Sequence, residues 1–431
     1  MRRGSVLVLV MWLLVIAGAM LLGLNRAIRI DAAIAHGELE ATRARWAARA
    51  GVEQARSLLD GDAREVDDVN DLWYRSELDF EDVALGDDAA FSVVAPPGRR
   101  EATNRRFGLV DEASRVNVNH ADAEALAELP GVTPIVVDAI IDWRDEDERA
   151  RPGGAERGVY AGRDLPYAIR NGPLQTHREL LLIEGVDRAR FYGEDGDGDG
   201  VLSAGENDGD AVPPPDNADG VLDPGLRRWT TVYSYVRHDA SALDAAVDLT
   251  RAEQSGLVER FGMTRALAEA VREEAGTDPE SLIDFENLRG EGGDANEADG
   301  EQTINAIDLR WLARHWEQLA LSGDARQPGR INVNTAEREV LETVPGIDAD
   351  AAARLVDRRG GGGGLSSVGE LLLDELLDEA AFRRAAPRLT VRSNVFRVVS
   401  EGRSGAAVRR LEAVIDRGDG LAVLYWREEG P

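Results

Sequence analysis

Residues 5–24 read SVLVLVMWLLVIAGAMLLGL, twenty positions without a charge. At 1.5 Å per residue, a helix of that length covers about 30 Å, the thickness of a bilayer's hydrocarbon core. Arg2 and Arg3 precede it, so the excess of positive charge puts the N-terminus in the cytoplasm and the bulk of the chain outside. Two other readings stay open, a plain membrane anchor and a cleaved secretory signal. Ala17-Gly18-Ala19 could mimic a small-residue cleavage site, but the apolar run continues to Leu24 and the charged leader is short. The helix does not stop at the membrane. Asn25 to Asp60 carry no proline, and Ile30, Ile34, Leu39, Trp46 and Ala50 recur mostly at four- and seven-residue spacings, as on one stripe of an amphipathic helix. One helix from Ser5 to Leu59 would be roughly 80 Å long, half in lipid and half projecting.

The remainder of the 431 residues is too long for one comfortable core. The 50 Lys+Arg against 80 Asp+Glu leave a net charge of −30, which repels phosphate backbones and argues against bulk nucleic-acid binding. The lack of cysteine removes disulfides, zinc–thiolate sites, iron–sulfur clusters and thiol nucleophiles together. Five scattered histidines leave no concentrated catalytic or zinc site. Hydrophobic residues at 43% suffice for a packed interior. These features point away from an enzyme.

A short charged leader ending in Gly4, then a membrane-length helix running on into a soluble amphipathic half, resembles the prepilin architecture. That resemblance implies a prepilin peptidase cutting between Gly4 and Ser5 on the cytoplasmic side. Two departures matter: the mature first residue would be Ser5, where Phe or Met is usual, and the fifth would be Leu9, where most pilins carry glutamate. A missing glutamate is what the family implies for the minor pseudopilin K type of type II secretion.

Three segments align without a gap: Val116–Val132, Val247–Met263 and Ile331–Ile347. Each reads as a short extended piece, a polar cap, a helix, a turn at glycine and a second helix. Asn119 with Asp122, Thr250 with Glu253, and Asn334 with Glu337 have the capping-box spacing. Leu126 and Leu129, Leu257 and Phe261, and Leu341 and Val344 are expected to face the partner helix, and Gly131, Gly262 and Gly346 to end the first helix. A second signature follows at Leu174-Gln-Thr-His-Arg-Glu-Leu and Leu365-Ser-Ser-Val-Gly-Glu-Leu, with Phe285-Glu-Asn-Leu as a degenerate middle copy. Such units would stack into one α-helical domain over residues 112–388. They resemble the helix-hairpin-helix module, which in many proteins binds DNA through a Gly-x-Gly turn. Here Thr133, Thr264 and Asp348 replace the second glycine, and Asp142-Trp-Arg-Asp-Glu-Asp-Glu flanks the first copy. A structural or protein-binding role follows, with no nucleic acid.

Residues 195–206 match the twelve-residue EF-hand loop at every position: Asp195, Asp197 and Asp199, then Gly200 for the turn, Val201 for a backbone carbonyl, Ser203, and Glu206 at the twelfth. Oxygen ligands so spaced wrap one Ca2+. The flanks, Phe191-Tyr192 and Pro213-Pro-Pro215, are not paired EF-hand helices, so a stabilising loop is expected rather than a sensor. Asp216–Gly220 and Asp294–Gly300 look like degenerate relatives, out of register.

Phe91–Val94, Arg106–Val110, Val395–Ser400, Ala407–Ile415 and Leu421–Trp426 read as strands. The fold class is therefore α+β: a pilin-like long N-terminal helix plus a small antiparallel sheet, interrupted by a large α-helical insertion of helix-hairpin-helix-like repeats. The expected parts are a leader (1–4), the membrane and amphipathic helix (5–60), a segment with the first strands (61–111), the insertion (112–388) and the C-terminal strands (389–431). This layout resembles the minor pseudopilin K family, through Phe107-Gly-Leu-Val-Asp111-Glu112, Arg115-Val-Asn117-Val-Asn119, Asp142-Trp143-Arg144-Asp145, Ile331-Asn332-Val-Asn334 and the last strand near Tyr425-Trp426. The resemblance implies a non-enzymatic subunit capping a short periplasmic pseudopilus. It would be anchored in inner-membrane lipid and joined to minor pseudopilins I and J and other pseudopilins, with exported proteins as further partners. The alternative is a membrane-anchored DNA receptor of a competence system, which predicts basic turns that this chain lacks.

Overall fold

The computed structural model describes residues 4–62, 66–96, 105–196, 198–209, 216–237, 246–290, 303–321 and 326–428. A single α-helix runs from Gly4 to Gly61, as the proline-free sequence predicts. Its buried face is Ala44, Ala47, Ala48, Val52, Ala55 and Leu59, spaced by three, four and one-turn multiples. The stripe expected from the sequence, Ile30, Ile34, Leu39 and Trp46, is exposed, and Ala50 is only half-buried. The reason is steric. The helix lies against strands so closely that a Cβ on Gly402 would fall on the Ala44 carbonyl oxygen, and one on Gly51 would meet the Ser400 hydroxyl. Only small residues fit that contact, and they outrank larger apolar ones.

The helix packs on a seven-stranded antiparallel sheet. Its strands are β1 (Val83–Leu85), β2 (Ala89–Ala95), β3 (Arg106–Phe107), β4 (Val110–Asp111), β5 (Val395–Ser404), β6 (Ala407–Asp416) and β7 (Ala422–Glu428). The spatial order is β1-β2-β5-β6-β7, with β3 on β2 and β4 on β5. β5 therefore pairs with residues about three hundred positions earlier, Val399 opposite Val94 and Phe396 opposite Asp111. The five strand readings from the sequence match these elements, except that Gly108 and Leu109 interrupt the Arg106–Val110 run and Leu421 lies one residue before β7. A Cβ on Gly108 would strike the Tyr74 carbonyl, so the interruption is a close backbone crossing.

Between β4 and β5 the chain leaves the sheet and builds the helical insertion. The insertion has its own apolar core, from Val116 to Val391, and the core under the sheet runs from Ala47 on the helix to Ile415 on β6. Three units repeat within it. Each opens with a two-residue strand that pairs in parallel with a two-residue strand at the unit's far end: Val116–Asn117 with Thr230–Thr231, Val247–Asp248 with Leu319–Ala320, and Ile331–Asn332 with Leu389–Thr390. These closing strands carry no periodicity that sequence alone reveals. The last lies just past residue 388, the expected end of the insertion.

Inside each unit the helical hairpin is present: Ala123–Ala127 with Pro134–Arg144, Gln254–Phe261 with Arg265–Ala275, and Arg338–Glu342 with Ala349–Gly362. The six apolar residues assigned to the hairpin contact are all buried. The three turn glycines all have positive φ, 74°, 65° and 98°. The caps need correcting. The N-cap residues are Asp122, Glu253 and Glu337, and of these only Asp122 has a side chain that caps, accepting from Ala125 N at 2.8 Å. The asparagines three residues earlier do something else. The Asn119 amide accepts from Leu174 N and donates to Leu174 O, at 2.8 and 2.9 Å. Asn334 does the same to Leu365, at 2.7 and 2.9 Å. Each amide thus clasps the start of the second signature to the start of its unit. The middle unit has Thr250 there, whose hydroxyl turns back to Asp248 instead. Its second signature also begins earlier than expected, at Ser281 with a 3-10 turn Leu282–Phe285.

Candidate functional site: the N-terminal helix, the hairpins and the acidic loop

Gly4 and Ser5, the expected processing residues, lie in the first turn of the long helix. From Leu7 to Leu24 its large apolar side chains are exposed, Leu9 among them, and by length and composition the helix is able to cross a membrane. Water-facing apolar surface on that scale needs an apolar surrounding.

The hairpin turns are poorly suited to a phosphate. A Cβ on Gly346 would run into the Ala381 backbone, so the third turn is packed against the chain. Beyond the first, Asp142 is fully buried and accepts from Arg151 N at 3.1 Å, while Arg144 donates to the carbonyls of Val118 and Ala121. Arg144, at the end of the hairpin's second helix, is thus committed to holding the hairpin.

The acidic loop is closed at its base by a bridge between Gly193 and Pro224. Gly193 has φ 65°, and a Cβ there would meet Asp223 O and Gly225 N. Within the loop, Asp195, Asp199 and Glu206 are buried. Asp195 accepts from Gly200 N at 3.1 Å, and Asp199 from Val201 N at 2.8 Å. Glu206 reaches back across the ring to Gly196 N at 2.9 Å and also accepts from Ser203 N at 3.0 Å. The twelfth position therefore folds onto the first turn of the loop, the path that a calcium loop follows. Asp197 lies outside the described residues, as do Asp294–Gly300. Arg105 competes for the site, binding Asp199 at 2.6 Å and Glu401 of β5 at 3.1 Å. Among the described residues, the acidic triads whose oxygens close to within 4.8 Å lie elsewhere, at Asp62, Asp67 and Asp71 and at Asp145, Asp147 and Glu156. The expected donors, carboxylate, hydroxyl and backbone oxygens, fit a hard cation.

Sequence reasoning missed the junction between insertion and sheet. Arg397 of β5 is buried between Glu112 and Glu412; its Nε is 2.7 Å from Glu112, which also accepts from the Thr231 hydroxyl. Burial pushes Glu412 up, but Arg397 and Arg227 outweigh it and hold its carboxyl at about 2. Beside this, Asp111 accepts from Ser393 Oγ at 2.6 Å, Asn332 Nδ2 at 3.2 Å and Ala113 N at 2.7 Å. Asp67 meets Arg417 at 2.8 Å and Ser393 N at 2.7 Å. Burial raises Asp67 to about 7 in spite of Arg417, and Asp111 to about 6 in spite of its donors. The run from Phe107 to Asn119 is thus the joint of the molecule: a crossing at Gly108, the buried acids Asp111 and Glu112, and the Asn119 clasp.

Residues 107–192, which contain this joint and the first hairpin, match the family model of type II secretion system protein K. The match stops at Tyr192, short of the first unit's closing strand at Thr230–Thr231. Residues 327–390 match the helix-hairpin-helix motif, and those limits nearly coincide with the third clasped unit. Among solved structures, a chain of the GspK–GspI–GspJ complex from the type 2 secretion system of enterotoxigenic Escherichia coli is similar. It has 14% identity and a TM-score of 0.49, over 92% of this chain and 99% of that one. No curated protein sequence matches the chain.

Proposed function

We propose that this chain is the minor pseudopilin K of a type II secretion system and that it sits at the tip of the pseudopilus without catalysing a reaction. The observation that carries the reading is the match of residues 107–192 to the protein K family model, in a chain built of a long apolar helix and an antiparallel sheet. Prepilin peptidase would cut between Gly4 and Ser5. The apolar half of the helix would then sit in inner-membrane lipid, with the sheet and insertion in the periplasm. The exposed stripe of Ile30, Ile34, Leu39 and Trp46 is the face for neighbouring helices, pseudopilins I and J in this reading. Leu9 in place of glutamate suits a subunit with no neighbour ahead of it to receive a carboxylate. The insertion would obstruct a subunit packed above and below, which also favours the tip.

The mature N-terminus of protein taken from its native membrane tests this. A chain starting at Ser5 and co-purifying with pseudopilins I and J is expected; a chain starting at Met1 without them would overturn it. The acidic loop, in the same reading, holds Ca2+ through Asp195, Asp197, Asp199, the Val201 carbonyl, Ser203 and Glu206, and so stiffens the segment between the first hairpin and its closing strand. Glu206→Ala is expected to lower the calcium-dependent rise in melting temperature. Equal rises in variant and parent would remove the loop from the account.

A further inference from the structure

A cleft of about 290 Å³ opens where three parts of the chain meet: the segment ahead of the sheet at Val69 and Tyr74, the joint from Val110 to Arg115, and the third hairpin at Val340 and Val356. The chain as a whole carries a net charge of −30, yet among the described residues lining the cleft six are arginines and three are acids. Most of these charges are answered within the chain. Glu337 binds Arg228 at 2.8 Å. Asp111 accepts from the Thr335 hydroxyl at 2.5 Å as well as from Ser393 and Asn332. Arg106 donates to the carbonyls of Tyr74 and Leu109, and Arg359 Nη1 to that of Val333 at 2.9 Å.

Arg115 differs. It is 7% exposed, and its Nη1 is buried with no hydrogen-bond partner among the described residues. The carboxylate of Glu112 lies 3.8 Å from that nitrogen, beyond hydrogen-bond range, and is taken by Arg397 at 2.7 Å and by the Thr231 hydroxyl. A buried acid can shed its charge by taking a proton, but a guanidinium keeps its own through neutral pH. Burial, joined by the charges of Arg397, Arg227 and Arg228, pushes Arg115 down against the pull of Glu112, to about 10, so it stays charged at pH 7. A buried cation without a hydrogen-bonded partner is costly, and an anion in the cleft would remove that cost.

We propose that the cleft binds a carboxylate carried on a small apolar body, with Arg115 as its anchor and Arg228 and Arg359 beside it. The planar guanidinium fork matches a carboxylate through two parallel hydrogen bonds. Val69, Val110, Val340 and Val356 supply an apolar wall for the body. The volume is near the lower limit of small-molecule pockets, roughly 300 Å³, which suits one residue-sized group. Phosphate fits less well, because its second negative charge would meet Glu337 and Glu339 in the same lining. The carboxylate comes either from a free small acid or from the C-terminal residue of a polypeptide. The inference stands independently of the secretion reading and of the loop at 195–206.

The test is isothermal titration of the full chain in detergent with N-acetyl-leucine, N-acetyl-leucinamide, isovalerate and inorganic phosphate. N-acetyl-leucine is expected to bind at least tenfold more tightly than its amide, which lacks the charge. Isovalerate bound within tenfold of N-acetyl-leucine would assign the cleft to free acids, and a larger gap would assign it to polypeptide C-termini. Arg115→Met keeps the bulk of the stem and removes the charge. It is expected to weaken N-acetyl-leucine at least tenfold while melting no lower than the parent, which separates loss of the ligand from loss of the fold. Arg359→Gln, at a half-buried position, is expected to weaken it roughly threefold or more. Equal affinity for acid and amide, phosphate bound more tightly than either acid, or unchanged affinity in both variants would overturn the site. A parent that binds neither acid would do so as well.

Discussion

At the scale of residues, the joint between sheet and insertion is a set of buried charges with opposed tendencies. Glu412 is held ionised by Arg397, whereas Asp67 and Asp111 are pushed toward their neutral forms. The consequences for stability have opposite signs. An acid whose pKa is higher folded than unfolded takes up its proton more readily in the folded chain, so its contribution is complete below the unfolded value near 4 and is lost as pH rises through 6 to 7. An acid whose pKa is depressed loses its contribution only as pH falls through about 2. The melting temperature should therefore be higher at pH 5.5 than at pH 8, and Asp67→Asn should flatten the difference. A parent equally stable or more stable at pH 8 would show that Arg417 keeps Asp67 ionised throughout. None of this could be read in the sequence. Phe107–Asn119 stood out there only as a family-like run, because its partners lie at Thr231, Asn332, Ser393 and Arg397, over a hundred residues away.

At the scale of elements, legibility followed locality. The long helix, the hairpins, their apolar contacts and the left-handed glycines came from short spacings, and all are present. The face of the helix did not, because the sheet it meets is assembled from distant strands that demand small side chains at Ala44, Ala48 and Gly51. The asparagines were legible as polar residues before a helix, but their partners, Leu174 and Leu365, are 55 and 31 residues on. Of the loop at 195–206, the ligand pattern was plain, whereas the competing Arg105 was hidden by 94 residues of separation. Asn334→Ala leaves both backbone groups of Leu365 buried and unpaired, so a loss of roughly 1–3 kcal/mol is expected. Chemical denaturation reads it directly. A loss below a few tenths would mean that the clasp is not what holds the third unit closed. Thr250→Asn, which supplies the missing amide to the middle unit, makes a useful counterpart in the same measurement.

At the scale of the whole molecule, two apolar cores share no residue; the charged joint, the Arg105 bridge from Asp199 to Glu401 and the packing of Tyr235 on Val395 and Val414 couple them. Calorimetry of the full chain is expected to show two transitions, of which EGTA lowers only the one belonging to the insertion. A single transition that EGTA moves as a whole would mean that Arg397 and its partners bind the two cores into one cooperative unit. The architecture also explains how a sheet tolerates an interruption of this length between β4 and β5. Closing a flexible loop of nearly three hundred residues costs about 5 kcal/mol by its length dependence alone, but a prefolded insertion presents its two ends as neighbours.

The parallel strand pairs carry that arrangement one level further down. Because the first and last strands of each unit lie side by side, a unit begins and ends at one spot, like a bracketed phrase within a sentence. Removing a bracketed phrase leaves the words on either side in place. The middle unit, which has neither the asparagine clasp nor a match to either family model, could be shortened, lengthened or exchanged without redirecting the chain before Val247 or after Ala320. The molecule is then a pair of nested parentheses, units inside an insertion and the insertion inside a sheet.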